Sequence, residues 1–225
     1  MPLGYNPPAG PLSSNSLQKN LAIFMAGAIC AVSHFMNHTR PDQETVHIDR
    51  HLVLIGMMGA GKTTVGRRLA VRLDMPFVDA DAEIEAAAGR SVADIFAELG
   101  EAAFRDGERR VIQRLLDGSP RVIATGGGAF VDAGTRALIR RKALSIWLDA
   151  SLDTLEERTA RRNTRPLLNG RNRREVLARL LEERRPLYAQ AHLRIHSTDS
   201  PHDAVVDDIL QRLTDCAVDG AGDDG

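Results

Sequence analysis

Short, largely apolar runs alternate along this chain with longer stretches in which apolar residues return every three or four positions. The runs are "HLVLI" from His51, "PFVDAD" from Pro76, "RVIAT" from Arg121, "LSIWL" from Leu144 and "LRIHS" from Leu193. Each is too short for a helix and long enough for a strand buried on both faces. Between them, "KTTVGRRLAVRL" puts Val65, Leu69 and Leu73 on one side of a helix. "SVADIFAELG" opens on Ser91 with Asp94 three residues on, a capping-box pattern. Further helical stretches are "ERRVIQRLL", "DAGTRALIRRK", "SLDTLEERTARRN", "RREVLARLLEERRPLYAQ" and "PHDAVVDDILQRL". Strand followed by helix, repeated along the chain, predicts an α/β fold, a parallel sheet covered on both faces.

The first fifty residues have a different texture. "MPLGYNPPAGPLSSNSLQKN" is rich in Pro, Gly, Ser and Asn and has little to bury, so a disordered extension is expected over 1–50. Within it, "LAIFMAGAICAV" (Leu21 to Val32) falls short of the roughly 20 apolar residues that span a bilayer. It reads as a loosely ordered helix or as residues upstream of the true start, with a signal-peptide core as the alternative. His34 and His38 follow at i, i+4, but no third ligand accompanies them. The acidic, small-residue end of the chain, 214–225, reads as a frayed tail.

Charge and composition narrow the function classes. With 29 basic and 30 acidic residues the net charge is -1, which gives no footing for nucleic acid or for a polybasic membrane anchor. The cysteines, Cys30 and Cys216, are only two and far apart, so no disulfide framework is expected and a reducing, cytoplasmic setting fits. The 225 residues suit one main domain, expected as a monomer.

The chemistry begins at "GMMGAGKTTVG", residues 56 to 66. Gly56 to Thr63 fits G-x-x-x-x-G-K-[ST] and lies where a phosphate cradle must lie, after an apolar strand and at the start of a helix. Glycines let backbone N–H groups converge on phosphate, and the helix N-terminus adds partial positive charge. Lys62 reaches the β- and γ-phosphates of ATP, and the Thr63 hydroxyl suits Mg²⁺. The spacing is wrong for a dinucleotide fingerprint, and no N-K-x-D stretch is present to read guanine. A compact chain with late arginines points to a small-molecule kinase. Arg158, Arg161, Arg162 and Arg165 share one helical face, which is also how a solvated basic face looks. Pro166 ends that helix and puts Arg165 in a loop, as a lid arginine would be.

"GMMGAGKTTVG", "FVDADAEIE", "GRSVADIFAELGEAAFR", "ATGGGAF", "RNTRPLL" and "RRPLY" together resemble shikimate kinase, in that family's order and spacing, over residues 51 to 213. The resemblance implies a P-loop kinase with a central parallel five-stranded sheet, a lid and a small acceptor-binding helical segment. It implies transfer of phosphate from ATP to shikimate with Mg²⁺. Gly59, Ala60, Gly61, Lys62, Thr63 and Thr64, with Arg158 and Arg165, would then hold ATP. Thr63 and Asp79 would hold the metal. Asp81 would bind the acceptor hydroxyls and take the proton, with Lys62 and Arg165 assisting catalysis. Arg105 and Arg184 would clamp the shikimate carboxylate beside Gly126, Gly127 and Gly128, with adjacent Arg185 open as the second arm. Asp149, at the end of "LSIWLD", looks like a Walker B acid but has no metal role in that pattern. Another small P-loop kinase, such as one for gluconate, and an ATP-binding regulatory module remain the alternatives.

Overall fold

The computed structural model describes residues 48–160, 172–197 and 201–219. The N-terminal extension with its apolar run and histidine pair, the arginines at 161, 162 and 165, and the last six residues lie outside that set.

Five strands form one sheet: β1 (His51–Ile55), β2 (Phe77–Asp79), β3 (Val122–Ala124), β4 (Ala143–Asp149) and β5 (Leu193–His196). Their order is β2-β3-β1-β4-β5 and every pairing is parallel. Seven helices are described: α1 (Lys62–Arg72), α2 (Ala80–Ala88), α3 (Val92–Leu116), α4 (Ala133–Lys142), α5 (Leu152–Ala160), α6 (Arg173–Tyr188) and α7 (His202–Asp219). Burial follows strand position. Central β1 is buried at all five residues, whereas edge strand β5 exposes Arg194 and His196. This is why β1 and β4 read as continuous apolar runs and β5 reads as an alternating one.

α1 packs Val65, Gly66, Leu69 and Ala70 inward. Gly66 is a contact glycine, since a Cβ there would stand 2.7 Å from the Phe77 ring and 2.9 Å from a Leu54 methyl. Complete burial of Leu69 is worth about 1.5–3 kcal/mol. The strand expected over 76–81 is shorter. β2 stops at Asp79, whose side chain caps α2 by accepting from the Asp81 N–H at 3.1 Å, so Asp81 sits in the first turn of a helix. Ser91 caps α3 as the sequence suggests, accepting from the Asp94 N–H at 3.1 Å and donating its hydroxyl to the Asp94 carboxylate at 2.6 Å. α3 bends at Gly100, whose φ of 79° is a left-handed conformation that suits glycine. α7 continues through Asp219, so residues 214–219 belong to a helix rather than to a frayed tail.

The chain leaves β1 toward β2 on one side and leaves β3 toward β4 on the other. The carboxyl ends of β1 and β3 therefore flank the point where the winding reverses, the usual ligand crevice of an open α/β sheet.

Candidate active site

The loop after β1 forms one wall of that crevice. Gly59 (φ 84°) and Gly61 (φ 93°) are left-handed, which turns the loop tightly into α1. Gly56 is confined as well, because a Cβ there would meet the Leu148 carbonyl oxygen at 2.6 Å. The Lys62 ammonium arches back over the loop and donates to the Gly56 and Met57 carbonyls, each at 2.9 Å. Thr63 Oγ1 donates to Asp79 Oδ2 at 2.8 Å, which joins the first turn of α1 to the end of β2. Asp79 thus has two tasks: one carboxylate oxygen caps α2 and the other meets Thr63.

A cleft of about 270 Å³ opens here. Its lining includes Gly59, Gly61, Lys62, Thr63, Thr64, Asp79, Asp81, Gly126, Gly127 and Arg158, all of them expected from the sequence. Ala60 is different: it is fully buried, and its N–H is turned to the Met57 carbonyl at 3.2 Å. Arg158 lies against Gly61 and donates to Ser197 Oγ at 3.2 Å. Arg165 lies outside the described residues.

The glycines after β3 form the second wall. A Cβ on Gly126 would come within 2.6 Å of Asp81 Oδ1, and one on Gly128 would overlap the Arg105 guanidinium. Only glycine lets the Asp81 carboxylate and Arg105 approach this backbone so closely. Arg184 donates to the Gly127 carbonyl at 3.2 Å, and the Tyr188 hydroxyl, one turn later, donates to the same oxygen. Arg105 from α3 and Arg184 from α6, 79 positions apart in sequence, therefore converge on one platform. Of the two adjacent arginines, Arg184 faces this platform, whereas Arg185 turns away and donates to Asp149 Oδ2 at 3.1 Å. Asp149 is taken up by Arg185 and Arg194 on the far side of β4, not by the phosphate loop.

Several residues at the cleft were not picked out from the sequence. Glu108 is one of them: only 1% exposed, it accepts from Arg105 at 2.6 Å. Burial pushes its carboxyl above the usual range, Arg105 pulls it back, and the neighbouring Asp81 charge pushes it up again. Its i, i+3 spacing from Arg105 in "FRDGE" was the available signal. Tyr188 sits inside the quoted "RRPLY" and is fully buried, which raises the pKa of its phenol. Thr125, Thr159 and His202 complete the cleft lining, and no local pattern in the sequence marks them.

The chain matches the family model described as shikimate kinase over residues 58–214. It is 57% identical over 162 residues to a shikimate kinase of Caulobacter vibrioides, covering 72% of this chain and 81% of that one. A shikimate kinase of Paramagnetospirillum magneticum is 55% identical over 166 residues, covering 74% and 85%. Among solved structures, the shikimate kinase of Acinetobacter baumannii in complex with shikimate superposes with a TM-score of 0.72 at 36% identity, covering 76% of this chain and 95% of that one. A second, from Bacteroides thetaiotaomicron, gives a TM-score of 0.70 at 31% identity, covering 73% and 98%. With a family model that matches most of its length and relatives of such identity and coverage, this chain belongs to the shikimate kinase family.

Proposed function

We propose that the chain transfers the γ-phosphoryl group of ATP to shikimate, giving ADP and shikimate 3-phosphate. The observation that carries this reading is the convergence of Asp81, Arg105 and Arg184 on Gly126, Gly127 and Gly128 beside the phosphate loop. Shikimate offers one carboxylate and three hydroxyls. Arg105 and Arg184 supply planar, permanently charged forks for the carboxylate. Glu108 holds the Arg105 fork in place from its buried side. Asp81 is placed to orient an acceptor hydroxyl and accept its proton as the oxygen bonds to phosphorus and the bond to the ADP oxygen breaks. Lys62, with its ammonium over the loop, neutralises charge on the transferring group. Arg158 lies at the nucleotide end, and Arg165 is assigned there on the sequence resemblance alone.

Mg²⁺ fits the donors present. Thr63 and Asp79 offer hard oxygen ligands 2.8 Å apart beside the loop, and no cluster of three His, Cys, Asp or Glu side chains is found among the described residues. A sparse set of this kind suits an ion that keeps water and takes phosphate oxygens. Thr63 and Asp79 would hold Mg²⁺, which would supply positive charge against the phosphates.

An ADP-release assay with shikimate, quinate and gluconate tests the reading. Turnover is expected with shikimate and little with the other two. Preference for gluconate would replace the assignment with another small P-loop kinase, and ATP binding with no acceptor-dependent turnover would favour a regulatory module.

A further inference from the structure

Asp149 is a buried carboxylate for which the phosphoryl-transfer chemistry above has no use. Its side chain is 3% exposed, and a single oxygen, Oδ2, accepts from Arg185 at 3.1 Å and from Arg194 at 3.0 and 2.6 Å. A buried charge is retained only where it is paired, so these arginines are obligatory partners. Asp149 and Trp147 lie two residues apart on β4 and share a face of the sheet. Arg194, opposite Trp147 in register, lays its guanidinium 4.8 Å from the centre of that ring. The Tyr188 ring packs 6.0 Å from Trp147. One end of α6 is therefore gripped twice, by Tyr188 and by Arg185.

Arg184 and Arg185 are neighbours on α6, so their side chains leave it roughly 100° apart. If Arg185 is fixed on Asp149, Arg184 has one direction available, toward the Gly127 carbonyl. Tyr188, four residues on from Arg184, agrees with that rotation because its hydroxyl meets the same carbonyl.

We infer that Asp149 is a positioning residue for the acceptor clamp. By holding Arg185 and Arg194 on one oxygen it sets the rotation of α6 and so aims Arg184 at the acceptor carboxylate. This rests on the assignment of shikimate as acceptor.

The test is steady-state kinetics of the full chain with Asp149→Asn, an isosteric change that removes the charge. The KM for shikimate should rise roughly tenfold, about what one charged contact contributes, while kcat and the KM for ATP stay within about twofold. Arg185→Met releases the same grip without stranding the carboxylate, because Arg194 remains, and should give the same split even if Asp149→Asn folds poorly. On an Arg184→Ala background, Asp149→Asn should add nothing further to the shikimate KM, since it acts through Arg184. A merely structural role would change ATP and shikimate parameters together, or would multiply with Arg184→Ala, and either result overturns the inference. An unchanged shikimate KM in Arg185→Met overturns it as well. A wild type that fails to phosphorylate shikimate removes the acceptor assignment and this inference together; a wild type that succeeds while the variants show no split removes the inference alone.

Discussion

Lys62 and Asp81 are the side chains whose loss should be most informative, because each is placed for one task. Lys62→Ala should leave the melting temperature close to that of the wild type and abolish most turnover, since the ammonium is held by loop carbonyls rather than packed into the core. Near wild-type turnover in that variant would remove the loop from the chemistry. Asp81→Asn keeps the shape and cannot accept a proton. A drop in kcat of about 10²–10⁴-fold with nucleotide affinity retained is the expected outcome. Loss of ATP binding instead would assign Asp81 to the metal. At this scale the sequence was legible where a motif fixes both residue type and spacing, as in the loop from Gly56 to Thr63. It marked Glu108 only by its spacing from Arg105, because the importance of that carboxyl comes from burial beside Arg105 and Asp81. It left Arg184 and Arg185 unresolved, because neighbours on a helix differ only in direction, and direction is set by packing against β4.

Elements bring these residues together, and glycine decides how closely. Gly126→Ala would force a methyl to within 2.6 Å of the Asp81 carboxylate. That carboxylate lines the cleft rather than the apolar core, so the expected result is a fold of nearly unchanged stability with a large loss of kcat. Circular dichroism melts beside ADP release check it, and full activity in Gly126→Ala would show that Asp81 does not depend on this backbone. All five strands and six of the seven described helices were visible in the apolar pattern, because a parallel sheet buried on both faces imprints largely apolar runs; α2 (Ala80–Ala88) was not, since its first residues were read as the end of a strand. The bounds were not. β2 ends two residues short of the expected strand because Asp79 caps α2, a tertiary choice that moves Asp81 from a strand end to a helix. α7 passes beyond the last apolar repeat, where composition alone favoured a frayed end.

For the whole molecule, stability should depend on pH through three histidines, of which only His51 is buried. His51, His192 and His202 are all held below the ordinary histidine range, chiefly by desolvation and further by nearby arginines. Unfolded histidine takes its proton near pH ~6.5. Below that, the unfolded chain binds protons that the native state declines until the pH is lower still, so stability is lost as pH falls through this window and is flat above it. The urea midpoint should therefore be lower at pH 5.5 than at pH 7.5, and replacing the three histidines by glutamine should flatten the difference. An equally steep fall in the triple variant would contradict this origin. On the proposed function, activity at the same scale depends on the fold joining α3 and α6 around one acceptor, whose carboxylate the two arginines would read. The most direct measurement is kcat/KM for shikimate against its methyl ester, by ADP release with the wild-type chain. A clamp built from Arg105 and Arg184 predicts a preference for the acid of roughly a hundredfold, the equivalent of about 2.7 kcal/mol; equal turnover of acid and ester would contradict it.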